Sequence, residues 1–254
     1  MNMKAVTGVN TALFAILVGV FPPLWAACDD APAPGVNWAG CDKAGADLHE
    51  LDLTRAVLSE ADLSNANLSG ARLVDADLDS AVIRGAKFDA ARMKGCRLVA
   101  VKGEGASFIG AVLDESRFSR AKLPGAVFRN ARLDHSGFYE AALVRADFSG
   151  ADVSHASFES ANLSTAVFDK ADMESANLDG ANLERASLKG ARLHRAKLNG
   201  ANLQQADFTA ADLTRASLRE AVIDDAVFTD AELGDATWVQ YKRCRSGSVG
   251  RCKE

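Results

Sequence analysis

The residues able to do chemistry are few. The chain has four His and five Cys among 254 residues. His135 and His155 stand twenty residues apart, and Glu115 precedes them by another twenty. Two imidazoles and a carboxylate could hold a divalent metal ion if a fold brought them together. Asp and Asn recur at spacings that are multiples of five, as at Asp62, Asn67, Asp147 and Asn182. Acid and base catalysis would need two of them to converge across a cleft. There is no HExxH, no glycine-rich phosphate loop and no GxSxG.

The elements that position these residues follow from one period. From Trp38 to Trp238 every fifth position is a large apolar residue, 41 positions in all, with only Lys43 and Gly103 departing. Two residues before each stands a small one, nearly always Ala, as in Ala61-Asp62-Leu63 and Ala201-Asn202-Leu203. Neither a helix (3.6) nor a flat strand (2.0) has this period. A chain that turns a corner every five residues and stacks on itself does.

The Phe residues point to an even number of sides and support four. Ten of them occupy the large position, and all fall on alternate repeats: Phe88, Phe108, Phe118, Phe128, Phe138, Phe148, Phe158, Phe168, Phe208 and Phe228. With four repeats per coil they form ladders on two opposite faces, seven on one and three on the other. A three-sided coil would scatter them.

This Ala-(Asp/Asn)-Leu-x-x register resembles the pentapeptide-repeat family over about residues 36–240. The resemblance implies an all-β, right-handed quadrilateral β-helix, with the Leu/Phe and Ala positions inside. It implies almost nothing about activity.

Turn chemistry agrees with four corners per coil. Twelve of fifteen Gly between residues 36 and 240 sit two places after the large residue, including Gly70, Gly110, Gly150 and Gly190. A type II turn needs φ > 0 there. Leu123-Pro124-Gly125-Ala126 reads as a complete example. With coils about 4.8 Å apart, some ten coils make a rod of about 48 Å. Gly103 follows Val101 where Ala is expected, an exchange of volume with a local bulge. Trp38 and Trp238 are expected to plug the two open ends.

Twenty residues per coil would stack Glu115, His135 and His155 in one column. That column is expected to be three solvated side chains on a flat face, with no outer partner to orient them. The Asp and Asn positions are expected to point outward, in ladders and local turn bonds. A rod without a cleft suits small-molecule chemistry poorly. No catalytic, cofactor-binding or metal residue is assigned, and the chain is expected not to be an enzyme.

The ends bear on location. Lys4, the apolar run 11–20 and Leu24-Trp25-Ala26 read as a signal peptide over residues 1–26, too short in its apolar run to span a bilayer. A short linker (27–35), the β-helix (36–240) and a Cys-containing tail (241–254) follow. An exported chain, periplasmic or extracellular, permits disulfides Cys28–Cys41 and Cys244–Cys252. Alternatively, Ala26-Ala27-Cys28 resembles the end of a lipobox, which would anchor the chain by a lipid on Cys28. Cys96 occupies a small inward position and reads as a buried hydrophobe.

Charge is banded along the chain. Residues 28–80 carry net −8, 81–133 net +7, 134–184 net −8, 185–220 net +4, 221–240 net −5 and 241–254 net +4. Arg117, Arg120, Lys122, Arg129 and Arg132 make a nearly acid-free belt, the expected contact for a protein, an anionic envelope polymer or another copy. Two functional classes follow. One is a non-enzymatic exported scaffold or interaction rod. The other comes from the resemblance: some pentapeptide-repeat proteins mimic DNA and inhibit or protect gyrase. The basic band and the export signal oppose that second reading, and nucleic acid is not an expected partner. An enzyme acting on glycans, as some other right-handed β-helices do, ranks third.

Overall fold

The computed structural model describes residues 27–254, so the expected signal peptide at 1–26 lies outside the described residues. The described residues are all-β apart from one 3-10 turn, Val239–Tyr241. Parallel bridges join one residue of each pentad to the residue twenty further on, from Asn37↔Val57 to Ser217↔Thr237. That offset is four pentads, so the coil has four sides.

Each corner is a turn closed by the amide three residues on. The Ala126 N–H donates to the Leu123 carbonyl at 3.2 Å, and Cys41 to Trp38 at 3.0 Å. The third residue of the turn has positive φ whether or not it is glycine: +66° at Gly125 and +57° at Asn65, Arg120 and His135. Glycine relieves a strain that the stacked backbone imposes at every corner.

Along the sides, amides of one coil bond carbonyls of the next, as from Phe148 to Val167 at 2.7 Å and from Val167 to Ala146 at 2.9 Å. Large and Ala positions face inward and are buried, except in the end coils, where Lys43, Ala46, Leu51, Ile223, Ala226 and Phe228 are half-buried. Phe128 stacks on Phe148 at 4.7 Å, and Phe138 on Phe158 at 4.8 Å. The two ladders meet edge to face, Phe138 against Phe148 at 5.9 Å and 90°. The interior is therefore two rings wide, which leaves a methyl-sized space at the Ala positions.

At Gly103 no bulge forms. The bridges Val82↔Lys102 and Lys102↔Lys122 keep register, and Val101 is buried. A Cβ at Gly103 would lie 2.6 Å from Ile83 Cγ1 and 2.7 Å from Leu123 Cδ2. The neighbouring coils lean into the missing side chain's space, so the ladder stays filled without breaking.

Both ends are covered more fully than Trp plugs alone would achieve. Residues 27–35, expected as a linker, lie over the first coil, held by the Cys28–Cys41 disulfide and by the Trp38 indole N–H donating to Asp30 O at 3.2 Å. Trp38 is buried, with Lys43 Nζ 4.1 Å from its ring centroid. At the other end the tail folds back, pairing antiparallel at Glu232↔Val249 and Thr237↔Arg243. The Cys244–Cys252 disulfide holds it. Trp238 is half-buried, edge-on to Phe228 at 5.0 Å. This cap covers two sides of the last coil and leaves Val222 and Val227, on the other two, exposed.

Candidate functional surface

The recurrent Asp and Asn serve the turns. Asp147 Oδ1 accepts the Ser149 N–H at 2.9 Å, and Asn182 Oδ1 accepts the Glu184 N–H at 3.0 Å. Between coils, Asn202 Nδ2 donates to Asn182 Oδ1 at 3.2 Å. The Ser64 hydroxyl and amide hold the Asp62 carboxyl below the usual carboxylate range. These carboxylates are committed to corner bonds on an outward face, which makes them poor proton shuttles.

The histidine column differs from its sequence expectation in one member. His135 and His155 do stack, centroids 4.7 Å apart with 13° between planes. Glu115, however, turns to Lys94, its Oε1 3.0 Å from Nζ. The carboxylate that joins the pair is Asp134. Its Oδ1 lies 3.0 Å from His155 Nδ1, and its Oδ2 lies 3.9 Å from His135 Nε2. Ser154 Oγ is 3.2 Å from Asp134 Oδ1. Partial burial pushes the Asp134 carboxyl up, but the His155 and Ser154 hydrogen bonds and the imidazole charges outweigh this and hold it lowered. A spacing of twenty residues marks only columns that run straight down the rod and so does not point to Asp134. Positions 134 and 135 share a corner, so a carboxylate one column over reaches both rings.

The basic belt is on the surface, all five residues exposed, and the structure divides it. Arg132 Nη2 bonds Asp114 Oδ2 at 2.6 Å, and Arg129 Nε lies 3.4 Å from Asp147 Oδ2. Arg117, Arg120 and Lys122 have no acidic partner within 4.0 Å among the described residues. They wrap one corner: Arg117 at the middle of a side, Arg120 at the turn, Lys122 at the middle of the next side. Arg97 and Lys102 sit one coil before Arg117 and Lys122.

Hollows on the rod are open gaps between side chains. One of about 670 Å³ is lined by Glu50, Asp52, Gly70, Arg72, Ala90 and Arg92. Among the described residues no helix is long and apolar enough to cross a membrane.

The family model for pentapeptide repeats matches residues 35–65, 61–99 and 104–138, then an overlapping series from 146 to 237. No curated relative matches the chain. Among solved structures, HetL, a pentapeptide repeat protein involved in heterocyst differentiation regulation in the cyanobacterium Nostoc sp., is 28% identical with TM-score 0.75. That match covers 85% of this chain and 95% of HetL. A pentapeptide repeat protein from the Arabidopsis thaliana thylakoid lumen is 26% identical over 41% of this chain and 82% of its own, at TM-score 0.31. QnrB1, a plasmid-mediated fluoroquinolone resistance protein, is 18% identical over 70% of this chain and 84% of its own, at TM-score 0.32.

Proposed function

Because this chain belongs to the pentapeptide-repeat family, whose coil presents four flat walls and no cleft, we propose that it is a non-enzymatic scaffold. In this reading it is an exported rod of about ten coils that engages an acidic protein surface or an anionic envelope polymer. The observation that carries the reading is the corner of Arg117, Arg120 and Lys122, cationic and unpaired between two acidic bands. Rigid spacing of such groups suits recognition of a charged surface and gives no means of bond chemistry.

Export has two supports: the signal-like segment at 1–26 and the disulfides at both ends of the rod. The Cys28–Cys41 pairing supports this reading over a lipid anchor, which would need the same Cys28 sulfur. DNA mimicry is disfavoured by the same basic corner, since a mimic needs an unbroken acidic surface. The QnrB1 likeness is too distant to argue otherwise.

Fractionation with a pull-down tests the proposal. The chain should appear in the exported fraction and retain a partner that salt releases and that Arg117→Glu, Arg120→Glu, Lys122→Glu abolishes. A cytoplasmic chain that retains gyrase would overturn it.

A further inference from the structure

We propose that Asp134, His135 and His155 form a surface site for a borderline divalent transition-metal ion of the zinc class. One ligand atom from each lies within 4.8 Å of the others. Bonds of ~2.0–2.1 Å at tetrahedral angles place ligand atoms about 3.3 Å apart. The carboxylate–imidazole separations are 3.0 Å from Oδ1 to His155 and 3.9 Å from Oδ2 to His135, on either side of that value, so a turn of the carboxyl group sets one oxygen between the two rings. An ion held there takes the place of the Asp134–His155 contact.

The fold supplies what a chance surface cluster lacks. His135 and His155 occupy the same corner position of successive coils, with φ of +57° and +55°, so the backbone holds their roots in parallel. The rings are exposed, and rotation about the side-chain torsions converges their lone pairs without moving the coil. The Ser154 hydroxyl lies 3.2 Å from Asp134 Oδ1 and 2.6 Å from Asp152 Oδ1, so it shares its one proton between two carboxylates and tethers Asp134 beside the rings. The basic side chains named nearby already have acidic partners: Arg132 has Asp114, Lys94 has Glu115, and Arg192 has Asp172 and Glu174. Two neutral imidazoles and one carboxylate favour zinc, nickel or copper over magnesium or calcium, which prefer all-oxygen cages. Water or a partner's side chain completes the coordination on the open side.

Zinc chloride titrated into tag-free, disulfide-intact protein by calorimetry tests this. One equivalent should bind with micromolar affinity. His135→Ala, His155→Ala and Asp134→Asn should each weaken binding tenfold or more, while Glu115→Gln leaves it unchanged. Protons compete for the imidazoles, so affinity should fall as pH is lowered. The ring resonances of these two His, not those of His49 or His194, should shift with metal. No binding at tens of micromolar zinc, or binding that survives both His substitutions, overturns the site.

Discussion

Phe148 and Phe158 face each other edge to face across the interior, centroids 5.7 Å apart with 86° between their planes. Phe148 also stacks flat on Phe128 and Phe168, at 4.7 and 4.8 Å. Removing this ring opens a hole bounded by coils above and below, which backbone bonds prevent from closing. Phe148→Ala should cost ~3–5 kcal/mol, against about 0.5 kcal/mol or less for outward Ser149→Ala. Denaturant titration measures both, and similar costs would contradict the inward assignment.

Gly103 yields a prediction opposite to its repeat. Restoring the usual Leu should destabilise by ~1–3 kcal/mol, because Ile83 and Leu123 already fill that space. Val101→Ala alone should leave a void. The double variant should lose less than the sum of the two, a favourable coupling that a double-mutant cycle detects. Additive losses would mean the two positions do not share a volume.

The period, the four sides and the Phe ladders were legible because each depends on side-chain size at fixed spacing. Three features were not. The site at Asp134 depends on two columns meeting at a corner, a lateral relation that reading along one column omits. The packing of residues 27–35 and 241–254 onto the end coils carries no repeat pattern to announce it. Arg129 and Arg132 looked free because their partners, Asp147 and Asp114, stand in other coils, 18 residues away. Banding gives net charge, and pairing decides which charges remain available.

The end disulfides should each stabilise by ~2–3 kcal/mol through restriction of the unfolded chain, given sequence separations of 13 and 8. Non-reducing peptide mapping of exported protein should show both pairs and one free thiol. Four further free thiols, or a lipid on Cys28, would contradict the end structure.

That one free thiol, Cys96, should be silent. Burial pushes it up to about 12. The folded chain keeps this proton after the unfolded chain has lost it. Its contribution to stability therefore declines as pH rises from about 8.5 toward 12. Cys96→Ala should remove that part of the alkaline slope. In the native protein, iodoacetamide should label Cys96 only on unfolding. Rapid labelling of the native thiol would mean that the coil opens there.

Exposed charges act through solvent screened beyond about 8 Å at physiological salt, so contacts made by the basic corner should be weak and salt-sensitive. The direct test is retention of the folded rod on immobilised dextran sulfate, with sedimentation in parallel for association between copies. At low salt the wild type should be retained or self-associate, and ~0.5 M salt should release it, where the screening length is only a few ångströms. Arg117→Glu, Arg120→Glu, Lys122→Glu should abolish the interaction with unchanged circular dichroism, because all three side chains point outward. A wild type that is monodisperse and unretained at low salt, or a triple variant that still binds, would contradict the scaffold account.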